Sequence, residues 1–179
     1  MTAENDKMVL PEDSLNRFRR SEAALAAMDI SIHDYELPRY GFNIHDFGLL
    51  ISPETLCEVM KIFEVYPIPN TKDWMHGLVN VRGNLVPVFD LPLLLGLSDL
   101  PMLHESLLVV DNGSESAGIL IDGLPRPCDT RNWVKLSQAP SVPAPLADHI
   151  TEAFTNDNLT WFGFNHREFF KNLRSSVAN

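Results

Sequence analysis

The sequence predicts a mainly β protein made of small barrels or a sandwich, with two similar half-barrels as the natural arrangement. Three observations carry that expectation. Short apolar-polar alternating runs recur between Gly, Asn, Asp and Pro turn signals, which is the signature of many short strands. Helical periodicity is sparse, with one N-terminal stretch and a few short turns. The order strand, turn, strand, capped helix occurs twice, from Leu78 to Leu95 and again from Ile150 onward, at an offset of 75 residues that sets Phe89-Asp90 against Phe164-Asn165.

Along the chain, residues 1–9 are polar. From Pro11 to Met28, Leu15, Phe18, Leu25 and Met28 fall at helical spacing, alanines favour helix and Asp13 or Ser14 can cap it, so an amphipathic helix is expected there. It packs on its own domain or binds a partner, and its arginines do not decide between the two. Tyr40, Phe42 and Ile44 then alternate with Gly41, Asn43 and His45, and Asp46-Phe47-Gly48 is expected to turn the chain into Leu49-Leu50-Ile51. Ser52-Pro53-Glu54 carries a helix-start signature with Ser52 as the cap, for a short helix ending at Cys57 or Glu58. A strand is expected from Val59 to Val65, and a helical turn from Thr71 to His76.

Leu78-Val79-Asn80-Val81 and Leu85-Val86-Pro87-Val88-Phe89 read as strands joined by a tight turn at Arg82-Gly83-Asn84, whose Gly accepts positive φ. Pro87 cannot donate to a ladder, which suggests an edge position or a bulge. Asp90 caps a helix from Leu91 to Leu95 that Gly96 closes. Leu107–Asp111 and Gly118–Asp122 read as strands around an Asn112-Gly113 turn, followed by an irregular passage stiffened by Pro125, Pro127, Pro140, Pro143 and Pro145. A hairpin from Ile150 to Phe164 turns at Asn156-Asp157-Asn158, and Asn165 caps the last helix through Phe169, Phe170 and Leu173.

At 179 residues the chain is one or at most two domains, long enough to bury a self-sufficient core. Its 14 Lys and Arg against 24 Asp and Glu give a net charge of −10, which argues against a nucleic-acid ligand because phosphate affinity comes from clustered cations. The acidity is concentrated in residues 31–110, with ten acids against four bases. The most apolar window, Leu85–Leu97, is broken by Pro87, Asp90 and Pro92 and is too short to cross a bilayer. The N-terminus lacks the basic-then-apolar order of a secretory signal, and the two cysteines, Cys57 and Cys128, show neither disulfide nor zinc spacing. A cytoplasmic setting without membrane insertion is the expectation.

No catalytic constellation stands out. There is no Gly-x-Ser-x-Gly elbow and no phosphate-binding loop, and the six histidines never pair on a helical face with a Glu, so they are expected to be solvated or in turns. Asp111–Asp122 has the length of a calcium loop but lacks Gly at its sixth position. No metal and no cofactor are expected. One polar residue resists the bland reading. Arg82 lies among apolar residues between two strands, where an unpaired guanidinium is costly to desolvate, and Glu58 is a candidate partner. The alternative is an Arg82 exposed at the hairpin tip.

The run Trp74-x-x-Gly77-Leu78-Val79-Asn80-Val81-Arg82-Gly83-Asn84-Leu85-Val86-Pro87-Val88-Phe89-Asp90-Leu91, followed by Leu94-Leu95-Gly96, resembles the CheW family of chemotaxis coupling proteins. Agreement extends to Tyr40, Glu58, Ile68-Pro69 and Gly118–Asp122, and covers residues 38–173. The resemblance implies two SH3-like five-stranded β-barrels, a first at about 38–100 with swapped elements and a second at about 101–165, behind an N-terminal extension 1–37 and before a tail 174–179. It also implies a non-catalytic adaptor joining the cytoplasmic tip of methyl-accepting chemoreceptors to the regulatory domain of a chemotaxis-type histidine kinase, at membrane-associated arrays. Glu58 and Arg82, 24 residues apart, match the family's ion pair beside the receptor groove, and Leu56 takes its apolar groove position. On this resemblance the partner-binding residues are Leu56, Glu58, Asn80, Arg82, Gly83 and Asn84.

Two departures stand out: the family's usual second Asp before the last helix is Asn165 here, and the Pro125–Pro145 passage is unlike ordinary members. The N-terminal extension and the Trp161-Phe-Gly-Phe ending look more like the twitching-motility, PilI-type branch that serves type IV pili. The rival expectations are a structural interaction module of pilus or motility machinery with no kinase, and a small-barrel enzyme.

Overall fold

A computed structural model describes residues 38–99 and 105–177. The expected helix over Pro11–Met28 and the last two residues of the tail lie outside them. Twelve strands and three short or medium helices follow one another in this span. They are β1 (Arg39–Ile44), β2 (Phe47–Ile51), β3 (Cys57–Met60), β4 (Val65–Tyr66), β5 (Met75–Val81), β6 (Asn84–Phe89), α1 (Leu91–Leu94), β7 (Ser106–Val110), β8 (Ala117–Ile121), β9 (Arg126–Cys128), β10 (Val134–Lys135), α2 (Ala144–Ala147), β11 (Ile150–Asn156), β12 (Leu159–Phe164) and α3 (His166–Val177). No helix among the described residues is long and apolar enough to cross a membrane.

Several local expectations need correction. The β1–β2 turn is His45-Asp46, ahead of the expected site, because Phe47 is buried and packs edge-on against Phe162 at 5.7 Å, which draws it into the strand. Ser52 caps no helix. Only one turn forms, from Thr55 N–H to the Ser52 carbonyl at 3.0 Å, before Cys57–Met60 pairs with β7. A one-turn helix gains too few hydrogen bonds to offset nucleation, and the ladder wins. The expected strand Val59–Val65 breaks after Met60. The turn near Thr71 is likewise single, Met75 N–H to the Lys72 carbonyl at 2.8 Å, since β5 starts at Met75. β7 and β8 are joined not by a two-residue turn but by residues 111–116, including a 3-10 turn at Gly113–Glu115. The proline-rich passage holds two short strands, β9 and β10. Pro87 sits inside the sheet, yet pairing with β8 covers only Val88 and Phe89, so no ladder donor is required of it on that side. The bulge lies in β5 instead, between Met75 and Gly77.

The expected caps at Asp90 and Asn165 hold. Asp90 Oδ1 accepts from Leu93 N–H at 3.0 Å, and α1 ends with Gly96 N–H on the Leu93 carbonyl and Leu97 N–H on the Pro92 carbonyl, the bonding of a Schellman ending. Asn165 Oδ1 accepts from Glu168 N–H at 3.3 Å while its Nδ2 donates to Glu168 Oε2 at 3.0 Å. An Asp in its place could not donate that second bond.

The strands form two six-membered sheets, one more than the expected five in each, with outermost strands of two to four residues. Sheet I runs β10-β11-β12-β2-β1-β9 and sheet II runs β3-β7-β8-β6-β5-β4. The two orders superimpose term by term: β4, β5, β6, β8, β7, β3 correspond to β10, β11, β12, β2, β1, β9. In both, the pair β6–β8 or β12–β2 is parallel and its neighbours are antiparallel. The 75-residue offset is visible in backbone detail. Asp90 N–H bonds the Trp74 carbonyl and Asn165 N–H the His149 carbonyl, each at 2.9 Å. The β5 bulge recurs in β11 between Ile150 and Glu152. The chain is thus a tandem repeat of six strands and a helix in which each repeat lends its first hairpin to the other's sheet.

Those exchanged hairpins build the main core. Phe42, Ile44, Phe47, Leu49 and Ile51 meet Leu108, Val110, Ala117, Ile119 and Ile121 between the sheets, with Phe89, Phe162, Phe164 and the α3 residues Phe169 and Phe170 closing the ends. Smaller clusters fill each sheet's other face, Val79, Val86, Val88, Leu107, Val109 and Leu120 in sheet II, and Leu50, Cys128, Phe154 and Trp161 in sheet I. Trp161 lies flat on Gly48, its partner in the parallel register, and a Cβ at Gly48 would overlap the indole ring. Gly48→Ala is therefore expected to cost about 2–3 kcal/mol, a typical overpacking penalty. A urea-unfolding midpoint unchanged from wild type would show that the Trp161 ring can move aside.

Candidate functional site

The β5–β6 hairpin closes with a two-residue turn in which Arg82 (φ 51°) and Gly83 (φ 88°) both take positive φ between the paired residues Val81 and Asn84. This backbone strains Arg82 and suits Gly83, and Asn80 steadies it by accepting the Gly83 N–H on Oδ1 at 2.8 Å. At the tip Arg82 Nη2 donates to Glu58 Oε1 at 2.9 Å. Glu58 belongs to β3, which stands three and four places from β6 and β5 in sheet II. In a flat sheet those strands would lie roughly 14–19 Å apart, so the ion pair requires sheet II to curl toward a barrel.

The pairing was expected, but its surroundings were not. The Arg82 side chain is 79% exposed and that of Glu58 38%, because a two-residue turn projects its first side chain beyond the sheet. The expectation of an apolar neighbourhood is therefore corrected: the guanidinium is at the hairpin tip and paired at once.

Behind the pair runs a groove of about 380 Å³. Leu56, Val81, Val86 and Val109 supply its apolar lining, while Glu58, Arg82, Asn84 and Asp111 supply polar groups. Leu56 is 61% exposed, an unusual placement for a Leu beside two charged residues. Of the residues singled out from sequence, Leu56, Glu58, Arg82 and Asn84 thus meet at one groove, and Asn80 and Gly83 shape its hairpin. Ser52, Asp90 and Asn165 lie elsewhere, the last two as helix caps.

Sequence reasoning missed the groove's far wall. Asp111, with φ 58°, leaves β7 and bonds the Leu56 carbonyl through its N–H at 2.8 Å. Its carboxylate takes Arg167 Nη2 at 2.7 Å and His166 Nε2 at 2.8 Å, both from the start of α3. His149 lies in a turn as expected, whereas His166 opens α3, contrary to the expectation of solvated or turn histidines; both are buried because aromatic packing around Phe164 and Phe169 encloses them. Burial raises the Asp111 carboxyl, but the bonds from Arg167 and His166 outweigh it and leave it below the ordinary carboxylate range. Burial holds His166 below the usual imidazole value, only partly offset by Asp111. Cys57, at the groove, is pushed up to about 11 by burial and then by the Asp111 charge, so at neutral pH it is a protonated, weak nucleophile. The one sequence signal for this wall was the acid at the head of the Asp111–Asp122 stretch. Among the described residues no group of His, Cys, Asp and Glu is placed to hold a metal.

A two-sheet β module with an apolar surface groove rimmed by an ion pair defines a class of interaction domain. The CheW-like domain model matches residues 41–170, and the chain belongs to that family. Among curated relatives, it is 28% identical over 145 residues to the chemotaxis protein CheW of Helicobacter pylori, covering 80% of this chain and 81% of that protein. It is 26% identical over 81 residues to the CheW of Thermotoga maritima, covering 45% of this chain and about half, 54%, of that relative. Protein PilI of Pseudomonas aeruginosa is 29% identical over 107 residues, 59% of each chain. The crystal structure of scaffolding protein TtCheW from Thermoanaerobacter tengcongensis shares the fold, with a TM-score of 0.57 and 17% identity over 72% of this chain and 88% of that one.

The Asp111 cluster sets an acid sensitivity. Facing Asp111 are His166, Arg167 and Cys57, with Glu54 acting on Arg167. Asp111 holds its proton less readily folded than unfolded, so its contribution is complete above the unfolded carboxylate pKa and is lost as pH falls through the folded value. The unfolded chain also protonates His166 first as pH drops through 6.5, which disfavours the fold below that point. Stability is expected to fall below about pH 6.5 through His166 and again below about pH 3.8 through Asp111, and Asp111→Asn to lower it at pH 7 by about 1–3 kcal/mol while steepening the first limb, where His166 loses the partner that favours its proton, and flattening the second. Equally steep urea-midpoint profiles in the two proteins would refute this assignment.

Proposed function

We propose that this chain is a non-catalytic coupling protein of a chemosensory pathway, joining the cytoplasmic tip of a methyl-accepting chemoreceptor to the regulatory domain of a chemotaxis-type histidine kinase. The observation that carries this reading is the Glu58–Arg82 pair at the mouth of an apolar groove in a CheW-like domain. An exposed pair of this kind adds little to stability, about 0–1 kcal/mol, but its charges fix the register of an apolar partner laid into the groove. Leu56 supplies the exposed apolar contact, and the strained Arg82-Gly83 turn presents the guanidinium at a set angle. Such a role places the protein in the cytoplasm beside receptor arrays.

The likeness to PilI favours a refinement, a pathway that controls type IV pilus twitching rather than flagella. A second reading follows from the same relative: an interaction module of pilus or motility machinery with no kinase.

Affinity purification of the chain from its own cells tests these readings. The coupling role predicts co-purification of a kinase carrying a histidine-phosphotransfer domain together with chemoreceptors, and their loss with Arg82→Glu at unchanged thermal stability. Recovery of pilus components without a kinase would favour the second reading. Full retention of kinase and receptor by the Arg82→Glu protein would remove Arg82 from the site.

A further inference from the structure

We infer that α3 braces the far wall of the groove, so that Arg174 and Arg167, outside the groove itself, set how far it opens. The groove has two walls. One is the Arg82 hairpin, tied to Glu58. The other is the β7–β8 connection, residues 111–116, of which Asp111, Asn112, Gly113 and Ser116 line the cavity.

This second wall is poorly held by its own residues. It is too long for a tight hairpin, starts at a non-glycine residue with φ 58°, and contains one 3-10 turn closed by Ser116 on the Gly113 carbonyl. Beyond the Asp111 N–H on the Leu56 carbonyl, its anchors come from α3. Arg167 and His166 grip Asp111 at the start of the loop. Two turns further along the helix, Arg174 donates Nη1 to the Ser114 carbonyl at 2.9 Å and Nη2 to the carbonyls of Glu115 and Ser116 at 2.9 and 3.0 Å. A guanidinium has a rigid fork of donors, so one side chain fixes three successive peptide groups at once. The cations are spaced along a single helix and clamp both ends of the loop.

The repeat makes the arrangement specific. The positions equivalent to His166, Arg167 and Arg174 at the 75-residue offset are Leu91 and Pro92 in α1 and Asp99 beyond its end, and none of these side chains can donate as those do. Among the described residues the brace has no counterpart in the first repeat. It also reaches the groove's apolar contact, since the Asp111 N–H that α3 positions is bonded to the carbonyl of Leu56. The consequence for partner affinity rests on the coupling role proposed above, whereas the brace itself does not.

The two cysteines make it measurable without any partner. Cys57 lines the braced groove, while Cys128 is buried within sheet I beside Trp161. The rate of Cys57 with dithiobis(nitrobenzoate) at about pH 8 reports its exposure and thiolate fraction, gaining roughly threefold for each unit the thiol pKa falls once reduced intrinsic nucleophilicity is counted. In Arg174→Ala full-length protein, Cys57 is expected to react at least about threefold faster while Cys128 stays slow. Removal of a cation would by charge alone raise a thiol pKa and slow the reaction, so acceleration identifies opening. Arg167→Ala, at a 61% exposed position, serves as the second variant and is expected to act in the same direction. An unchanged Cys57 rate in both variants would overturn the brace, and so would parallel acceleration of Cys57 and Cys128, which marks general loosening. Failure of kinase or receptor capture would leave this result intact.

Discussion

The fold depends on two-sided burial of the exchanged hairpins. β2 lends Phe47, Leu49 and Ile51 to the core between the sheets and Leu50 to the cluster inside sheet I, and β7 does the same with Leu108 and Val110 on one face and Leu107 and Val109 on the other. A fully buried Leu, Ile, Val or Phe is worth about 1.5–3 kcal/mol, so these hairpins outweigh any surface ion pair several times over. Each sheet is completed only by the other repeat's strands, and the two are held as one body by the core that this exchange creates. The Glu58–Arg82 pair, exposed on this base, adds little to that stability.

The repeats have diverged where the groove lies. The Arg82-Gly83 turn corresponds to Asp157-Asn158, again with positive φ at both positions, so the backbone is kept while the charge is reversed. Sheet I therefore cannot repeat the Arg82 rim. Helix ends diverge in the same way: the cap that accepts one N–H in Asp90 becomes, in Asn165, a reciprocal pair with Glu168. A duplicated scaffold has supplied two barrel-like sheets with opposite charges at their hairpin tips.

What the sequence disclosed was set by local chemistry. The turn at Arg82-Gly83, the caps at Asp90 and Asn165, the closing Gly96 and the 75-residue repeat rest on residues within a few positions of each other, and they hold. The misses were decided at a distance. Ser52-Pro53-Glu54 has every local mark of a helix start, yet Cys57–Met60 pairs with a strand some fifty residues later. β9 and β10 lie in a proline-rich stretch whose strand character comes from β1 and β11. Asp111 meets His166 and Arg167 across more than fifty residues, which no motif spacing encodes. For the site, residue types were legible and their exposure was not, since the sequence around Arg82 is apolar while its position at a turn tip is wet.

The strand exchange also has a cost in time. β2 takes its parallel partner from β12, so Leu49 pairs with Phe162 and Leu50 with Gly163. At about 5–20 residues per second, a ribosome needs roughly 5–20 s to add the residues between those partners. For that interval the apolar run Phe47–Ile51 is outside the exit tunnel, or nearing it, with one edge and one face unfilled. The same holds for the kinetics of refolding, because the defining contacts close loops of more than a hundred residues. Sheet II is complete once β8 has been made, whereas sheet I waits for β12, so the two sheets close in order along the chain.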